Sequence, residues 1–333
     1  MKEGARISIL MCSYNGDSLL PVSIPAICNL NVSLFEYVEF VFVDNGSIND
    51  LRKIVSELWE SHSSSIVLKL LFEEKKGKIP AFKVGFNHCL GDYIIVCDDD
   101  NELSSEYLTE GVHYLQKDPK VGVLGGNGIP FTSYKLPLWF SDWEADFACG
   151  KQAKHTGNVY PGKNVVYGAG MWFQRQLLQV AFDNGFDFIF NYVKDGATVK
   201  KRTNGGEDGE LCWALKYQDY EIHFLESLYF KHHISEDKLT SSYLELLSSR
   251  RGHYSLLGQI YWRVYHMDRQ KVTNFWIKEF IHLLFNYFKD FKWKKQYLFE
   301  ETTRVVSNLK MLIFYRSKYD AIINNLLNFK NKF

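Results

Sequence analysis

The sequence lacks the features by which several classes of protein are recognised. It contains no run of about 18 apolar residues, which a membrane-spanning helix requires. Its first residues, Met1–Arg6, are too few and too polar to predict a secretory signal peptide. It has no internal repeat and no low-complexity tract, and its formal net charge is zero. We therefore expect a globular protein that neither spans a membrane nor binds nucleic acid.

Paired cysteine motifs are also missing, because none of the six cysteines belongs to a C-x-x-C sequence. The cysteines stand in apolar surroundings, such as the strand-like segment Ile94–Cys97. This setting predicts reduced, buried thiols and a cytoplasmic protein. A G-x-x-x-x-G-K-S/T loop is absent as well, which argues against a P-loop ATPase.

The charge is distributed unevenly along the 333 residues. Residues 1–234 contain 22 Lys and Arg against 30 Asp and Glu, whereas residues 235–333 contain 17 against 9. A chain of this length is expected to form one large domain with an extension, or two domains. We predict a domain at 1–234 and a helical extension at 235–333. The opposite charges favour separate roles for the two parts, or docking of one on the other.

Strand-like and helix-like segments alternate in the first hundred residues, which predicts an α/β fold with a mostly parallel central sheet and flanking helices. The strand-like segments are Ile7–Cys12, Tyr37–Val43, Val67–Phe72 and Asp92–Cys97, and the helix-like ones are Leu19–Leu30, Asp50–Ser61 and Ile79–Leu90. Such sheets bind ligands at the carboxyl ends of their strands. Polar residues follow the strands at those ends: Asn15, Asp44 and Asp98–Asp100.

The later sequence predicts further elements of the same domain. A helix is expected at Gly209–Tyr217, directly after Glu207 and Asp208, and a strand at Ser227–Lys231, directly before His232 and His233. Phe190–Asn204 is expected to be a mobile loop that closes over a ligand. In the extension, apolar residues at helical spacing predict an amphipathic helix, with Trp276, Phe280, Leu283, Leu284, Tyr287 and Phe291 on one face and Lys278, His282, Asn286 and Lys289 on the other.

Three adjacent carboxylates, Asp98, Asp99 and Asp100, end a buried strand, where they repel one another unless a cation is bound. A divalent cation such as Mg²⁺ or Mn²⁺ held there could also bind phosphate oxygens. The alternative is a solvated acidic turn. A histidine at the end of the later strand could be a further metal ligand, although it could also simply pack. Only one of His232 and His233 can face the site, because neighbouring strand residues point to opposite sides.

Other residues have two interpretations each. Asp208 could be a general base for an acceptor hydroxyl or the cap of its helix. Asp44 could accept a hydrogen bond from a ribose or a base, or it could stabilise a turn before Gly46. Lysines beside a helix start, Lys75, Lys76 and Lys78, could bind phosphate or form a solvated charge run. Aromatic residues could stack on sugars or belong to the core; these are Trp139, Phe140, Trp143 and Trp172.

Taken together, these motifs resemble family 2 glycosyltransferases, bacterial enzymes of the GT-A fold, over residues 7–240. Asp98–Asp100 resembles the D-x-D motif of that family, and Val43–Ser47 resembles its V-D-D-G-S motif, with Asn45 in place of the second aspartate. The remaining matches are the turn Cys12–Asn15, the acceptor-side strand Gly168–Met171, the E-D pair Glu207–Asp208, and His232–Ile234 followed by Leu239–Thr240.

The resemblance implies an inverting transfer from a nucleotide-sugar, most often a UDP-sugar, to a glycan or lipid-linked hydroxyl acceptor in bacterial surface polysaccharide or glycolipid synthesis. Asp208 would be the base, and a divalent cation (Mn²⁺ or Mg²⁺) would be held by Asp98, Asp100 and His232. Donor contacts would come from Ser13, Asn15, Asp44, Asn45, Lys78, Asp98 and Asp99.

Two other functions remain open at this stage. One is a nucleotidyltransferase, although a Gly-rich loop does not follow the first strand. The other is a nucleotide-sugar-binding protein without transferase activity. For the basic extension we expect peripheral contact with the inner face of the cell membrane, with packing on the catalytic domain or formation of a homodimer as the alternatives.

Overall fold

The computed structural model describes residues 4–189, 206–268, 271–293, 306, 308–310, 312–313 and 315–333. Two compact units are present. The first comprises Met1–Asp183 and Glu207–Ser235, and the second comprises Asn184–Gly206 and Glu236–Phe333. The division expected from the sequence placed the whole of 184–206 with the catalytic residues. Contacts of Phe186 with Phe329, and of Lys332 with the Asn184 carbonyl, instead tie the described start of this segment to the second unit.

The first unit is built on a nine-stranded sheet. The strands are β1 Arg6–Ser13, β2 Tyr37–Asp44, β3 Val67–Phe72, β4 Tyr93–Val96, β5 Asn101–Leu103, β6 Val121–Phe131, β7 Gly157–Asn158, β8 Met171–Gln174 and β9 Glu221–His233. Their order in the sheet is β3-β2-β1-β4-β8-β6-β9-β5, with β7 beside β9. Six strands, β3, β2, β1, β4, β6 and β9, run in one direction, so the predicted mostly parallel α/β sheet is confirmed.

The helices of the first unit pack against the sheet through apolar stripes. In α2 (Leu51–His62), for example, Leu51, Val55 and Trp59 recur at helical spacing and are buried, and Asp50 caps the helix by accepting a hydrogen bond from the Lys53 N–H at 3.4 Å. The helices of this unit are α1 Leu20–Cys28, α2 Leu51–His62, α3 Lys78–His88, α4 Tyr107–Lys117, α5 Phe140–Trp143, α6 Arg175–Asp183 and α7 Glu207–Lys216.

Two local predictions about the sheet need correction. The strand expected at Ser227–Lys231 is longer, because β9 pairs with β6 on one side and with β5 on the other, and it includes His232 and His233. The stretch Gly168–Gly170 is a turn before β8 and not part of a strand. Gly170 has a φ of +69°, a conformation that interrupts an extended chain.

The described elements of the second unit are helical, as predicted for the extension. A long helix, α8 (Ser241–His266), is capped by Thr240, whose hydroxyl accepts from the Tyr243 N–H at 3.3 Å. The predicted amphipathic helix lies within α9 (Phe275–Trp293), and α10 (Tyr319–Lys330) follows it. None of the described helices combines the length and the apolar character that crossing a membrane requires.

Candidate functional site

The carboxyl ends of β1 and β2 lie side by side at the edge of the sheet where the site was expected. Ser13 and Asp44 are partners in the register of the two strands, and the Asn45 N–H donates to the Ser13 carbonyl at 2.9 Å. All three are buried, with at most 4% of each exposed. Polar side chains buried this deeply need hydrogen-bond partners, and the turns around them provide several.

Asp44 and Asn15 connect two of these turns. An oxygen of Asp44 accepts from the Ser47 N–H at 3.0 Å, which is the turn-stabilising contact considered for it. Asn15 has a φ of +56°, and its side-chain oxygen accepts from the Ile48 N–H at 2.9 Å. Each residue therefore shapes the rim of the site through the main chain.

The three adjacent aspartates turn to three different partners. Oδ1 of Asp98 lies 2.8 Å from Nζ of Lys78. The Ser13 hydroxyl donates to Asp99 at 2.5 Å, and a Cβ atom at Gly16 would collide with both of these side chains. The third carboxylate, Asp100, lies beside His232 of β9. The mutual repulsion of the carboxylates is relieved by separate contacts as well as by any bound ion.

His232 lies beside Asp100, with 3.1 Å between Nε2 and Oδ2, while the neighbouring His233 lies 3.1 Å from Glu102. The two histidines therefore have different carboxylate partners, as strand alternation requires. Nδ1 of His232 is buried and has no hydrogen-bond partner among the described residues. An imidazole next to a carboxylate is a donor set that suits Mn²⁺ or Mg²⁺ when substrate oxygens complete the coordination.

The predicted metal ligands do not form one group. Asp98 is held by Lys78, whereas Asp100 is held by His232, so the set of Asp98, Asp100 and His232 is divided. Within the described part of the chain, no three His, Cys, Asp or Glu side chains converge as a cluster that could hold a metal ion. A cation could therefore be held by Asp100 and His232 only with further ligands from a substrate.

Lys78 connects two carboxylates from distant parts of the chain. Its Nζ lies 2.8 Å from Asp98 and 3.2 Å from Oε1 of Glu207. Burial opposes the charge on Lys78, but the carboxylates of Asp98 and Glu207 outweigh it and raise the pKa of Lys78 well above its usual value. Glu207 was not among the predicted donor or metal residues. Its position beside Asp208 was the only signal in the sequence.

Asp208 lies in the first turn of α7 and lines a small cavity. Its oxygens accept from the Gly168 N–H at 3.0 Å and from the Gly209 N–H at 2.8 Å, so it does not cap the helix in the usual way. Burial and the adjacent Glu207 raise the pKa of Asp208 to about 6. A carboxylate with such a pKa can take up a proton near neutral pH. The cavity is lined by Cys12, Lys78, Phe82, Val96, Cys97, Asp98, Gly168, Met171, Glu207, Asp208 and Leu211.

Most of the aromatic residues considered for sugar stacking belong to the core. Phe140 and Trp143 are each 4% exposed, and Trp172 is fully buried and stacks on Tyr107. Trp139 is partly exposed and packs against Phe147. The expected closing loop, Phe190–Asn204, and its basic run Lys200–Arg202 lie outside the described residues.

Comparison with known proteins places these features in a family. The family described as glycosyl transferase family 2 matches residues 8–182. An uncharacterized glycosyltransferase of Nostoc sp. is 27% identical over 119 residues, which cover 36% of this chain and 35% of that protein. An undecaprenyl-phosphate 4-deoxy-4-formamido-L-arabinose transferase of Klebsiella pneumoniae is 30% identical over 95 residues, which cover 28% of this chain and 29% of that protein. The chain spans about a third of the length of these curated relatives.

Solved structures resemble the chain over nearly its whole length. TarS of S. aureus, residues 1–349, in complex with UDP-GlcNAc, has a TM-score of 0.53 and covers 98% of this chain and 91% of its own. The mannosyltransferase PcManGT of Pyrobaculum calidifontis, in complex with GDP-Man and Mn²⁺, has a TM-score of 0.56, and the match covers 99% of this chain and 87% of that one. Both are 14% identical to this chain, so the likeness shows the fold alone, which is GT-A.

Proposed function

Because the chain belongs to glycosyl transferase family 2, we propose that it is an inverting transferase that moves a sugar from a UDP-sugar to an acceptor hydroxyl, with Asp208 as the base. The observation that carries this proposal is the position of Asp208 in a cavity shared with Lys78 and Asp98, at the carboxyl ends of the strands. Asp208 would take the acceptor proton while the hydroxyl oxygen attacks the sugar C1 and the bond from C1 to the diphosphate breaks.

The donor would lie along the ends of β1, β2 and β4. Asp44 and Asn15 shape the turns there, and Ser13 and Asp99 hold each other beside them. Lys78, between Asp98 and Glu207, is a cation beside the proposed base, and it would face the negative donor diphosphate. The arrangement supports binding of an anionic nucleotide at this edge of the sheet.

Asp100 and His232 would hold a divalent cation, for which the Asp100 carboxylate and the imidazole Nε2 that faces it at 3.1 Å are suitable oxygen and nitrogen donors. Two protein ligands suffice when substrate phosphates complete the shell, as is common for Mg²⁺. When bound, the cation would neutralise charge that develops on the departing diphosphate. Asp98, which the sequence also predicted as a ligand, is proposed to orient Lys78 instead.

The experiment that tests the proposed function is a screen of nucleotide-sugars for release of free nucleotide. UDP-, GDP- and dTDP-sugars would be compared with and without Mn²⁺ or Mg²⁺, with Asp208→Asn as the matched variant that lacks the proposed base. The expected result is metal-dependent release from UDP-sugars that is about 10²–10⁴-fold slower in the Asp208→Asn variant. Binding of UDP without turnover of any donor would instead favour a nucleotide-sugar-binding protein.

The acceptor is proposed to be a glycan or a lipid-linked sugar in bacterial surface polysaccharide or glycolipid synthesis. The Klebsiella relative is named for an undecaprenyl-phosphate substrate, which motivates the lipid-linked alternative. A lipid-linked acceptor would place the reaction at the cytoplasmic face of a membrane. The second unit contains a surface suited to that location.

An apolar stripe is exposed on α9. Ile277, Ile281 and Phe285, which follow one another at one-turn intervals, are 42%, 60% and 66% exposed. The sequence predicted a polar surface here, with Lys278 and His282 facing away from the apolar side. Both are exposed as predicted, but the stripe lies directly beside them. The helix therefore presents a mixed apolar and basic surface.

We assign this surface to an anionic lipid membrane because the charge of the unit matches that partner. Residues 235–333 contain 17 Lys and Arg against 9 Asp and Glu. Basic residues near an anionic leaflet contribute about 1 kcal/mol each, and apolar side chains add burial. The exposed lysines and arginines in the described part of this unit are Lys271, Lys278, Lys310, Arg316, Lys318 and Lys332.

Co-sedimentation with anionic and neutral vesicles, at low and high salt, tests the assignment. The chain should bind anionic vesicles at low salt, and the double change Ile281→Ser and Phe285→Ser should weaken binding at least tenfold, because two exposed apolar side chains are lost. The matched control, Val22→Ser with Leu34→Ser, removes exposed apolar side chains of the first unit. Absence of binding would contradict the assignment, and light scattering would then show whether the stripe joins two copies.

A further inference from the structure

Asn45 departs from the family motif that its neighbours match, and its surroundings explain the difference. The Asn45 side chain is almost fully buried and forms hydrogen bonds with main-chain atoms of residues Glu73–Gly77. We call this segment the 73–77 loop. Nδ2 donates to the carbonyls of Glu73 at 3.2 Å and Lys75 at 2.9 Å, and Oδ1 accepts from the Gly77 N–H at 2.7 Å. Both amide hydrogens are therefore used.

We propose that Asn45 is a positioning residue that holds the 73–77 loop and, through it, places Lys78 between Asp98 and Glu207. This inference rests on the proposed function for the role of Lys78 in donor binding. It assigns Asn45 an indirect role in place of the direct nucleotide contact expected from the sequence.

The connection from Asn45 to Lys78 is short. Gly77, which donates to Asn45, directly precedes α3, and its φ of +132° sets the direction in which the helix begins. Lys78 is the first residue of that helix, and its Nζ reaches Asp98 at 2.8 Å and Glu207 at 3.2 Å. Because one hydrogen bond fixes the residue before Lys78, a shift of the loop also shifts the base of the lysine side chain.

An aspartate at this position would not replace the amide. A carboxylate has no hydrogens to donate, so its oxygen would face the carbonyls of Glu73 and Lys75 at about the present distances. Repulsion there and the loss of two buried hydrogen bonds would release the loop. The amide, unlike the carboxylate of the family motif, is suited to this loop.

The experiment compares Asn45→Asp with wild type by hydrogen exchange of the peptide that contains the Gly77 N–H, and by calorimetric binding of UDP. Asn29→Asp, at an exposed position after α1, is the control for the added charge. We expect faster exchange in the 73–77 loop and at least tenfold weaker UDP binding in Asn45→Asp only, with little change in melting temperature. In a Lys78→Ala background, Asn45→Asp should have no further effect on UDP binding.

The outcomes separate this inference from the proposed function. Unchanged exchange in the loop, or losses of UDP affinity that add in the double variant, would overturn the positioning role. Faster exchange with a non-additive loss of affinity would support it. If wild type does not bind UDP, the proposed donor is wrong. Two measurements still decide the role of Asn45 in that case. They are the hydrogen exchange of the Gly77 N–H and the NMR signal of the Lys78 amine, which reports whether Lys78 remains paired with Glu207.

Discussion

The main-chain N–H of Gly168 donates a hydrogen bond to Asp208 at 3.0 Å. A Cβ atom at 168 would lie 3.0 Å from Cβ of Asp208, which is close enough that one of the two residues would have to shift by a few tenths of an ångström. The turn before β8 and the first turn of α7 are thereby joined. The contact also fixes the orientation of the carboxylate proposed as the base.

Gly168→Ala should therefore displace the Asp208 carboxylate. We expect kcat to fall by up to about tenfold while UDP binding is retained, because a shift of a few tenths of an ångström is smaller than the misplacement of about 1 Å that can lower a rate a hundredfold. Steady-state kinetics and calorimetry would measure the two quantities. Gly162→Ala is the matched control, since the nearest atom to its added Cβ would be 3.5 Å away. Normal kcat in Gly168→Ala would show that this contact does not position the base.

Asp208→Asn should lower transfer by about 10²–10⁴-fold with UDP binding preserved, because an amide cannot take the acceptor proton. In wild type, transfer should rise with pH up to about 6 and then level, since burial and Glu207 raise the pKa of Asp208 to about 6 and only the ionised form is a base. The residual activity of Asp208→Asn should lack this rise. Equal losses of UDP affinity and turnover would indicate a structural role.

The same pKa has a consequence for stability. A carboxyl group whose pKa is raised in the folded state stabilises the fold below its unfolded pKa, and that contribution is lost as the pH rises through about 6. As the pH rises from 4 to 7, the free energy of unfolding of wild type should therefore fall relative to that of Asp208→Asn, whose amide does not ionise. Urea denaturation at the two pH values would measure the difference.

The pairing of His232 with Asp100 and of His233 with Glu102, each at 3.1 Å, provides a matched test of the metal proposal. His232→Ala should reduce the gain in UDP affinity on adding Mn²⁺ at least tenfold, because it removes a proposed ligand. His233→Ala removes an equivalent histidine–carboxylate contact on the same strand and should keep the gain. Calorimetric titration of UDP with and without Mn²⁺ would measure it, and equal effects in the two variants would contradict the assignment to His232.

Glu39 is fully buried at the other end of β2 and accepts from Ser8, Leu90 and Lys69. Burial opposes its charge, but Lys69 and the other donors outweigh burial and lower the pKa of Glu39. Glu39→Gln should lower the free energy of unfolding by about 2 kcal/mol at pH 7, because an NH₂ group would face a lysine.

This loss should diminish as the pH falls below about 4.5, since the contribution of an ionised Glu39 is present above its unfolded pKa and lost below its folded one. Urea denaturation at pH 7 and pH 4 would measure both values. Glu57→Gln, which removes a carboxylate from an exposed pair with Lys53, is the control and should change stability little. An equal effect of the two changes would contradict a stabilising role for the buried network.

The strand and helix alternation up to Val96 was predictable because each element shows its own period. Apolar strands such as β2 read as continuous buried runs, and α2 repeats its apolar residues at helical spacing. The polar residues that follow these strands were predicted to share one edge because the carboxyl ends of parallel strands meet there. The structure places Ser13 and Asp44 side by side at that edge.

The later elements were harder to predict because their partners are distant in the chain. β8 is a short strand inserted between β4 and β6, and nothing in Met171–Gln174 by itself specifies that position or its antiparallel direction. Trp172 reads as a ring that could stack on a sugar until its contact with Tyr107 is known. The face that α9 exposes likewise depends on which side chains its neighbours cover.

The sequence by itself determined which residues stand at the strand ends, since local periodicity and strand polarity decide that. It also carried the motifs that mark the family. Only the tertiary structure decided which partner each residue takes: Lys78 for Asp98, Ser13 for Asp99 and His232 for Asp100. The physical reason is that hydrogen bonds of about 3 Å form between side chains up to 132 positions apart, and their geometry depends on the packing of every element between them.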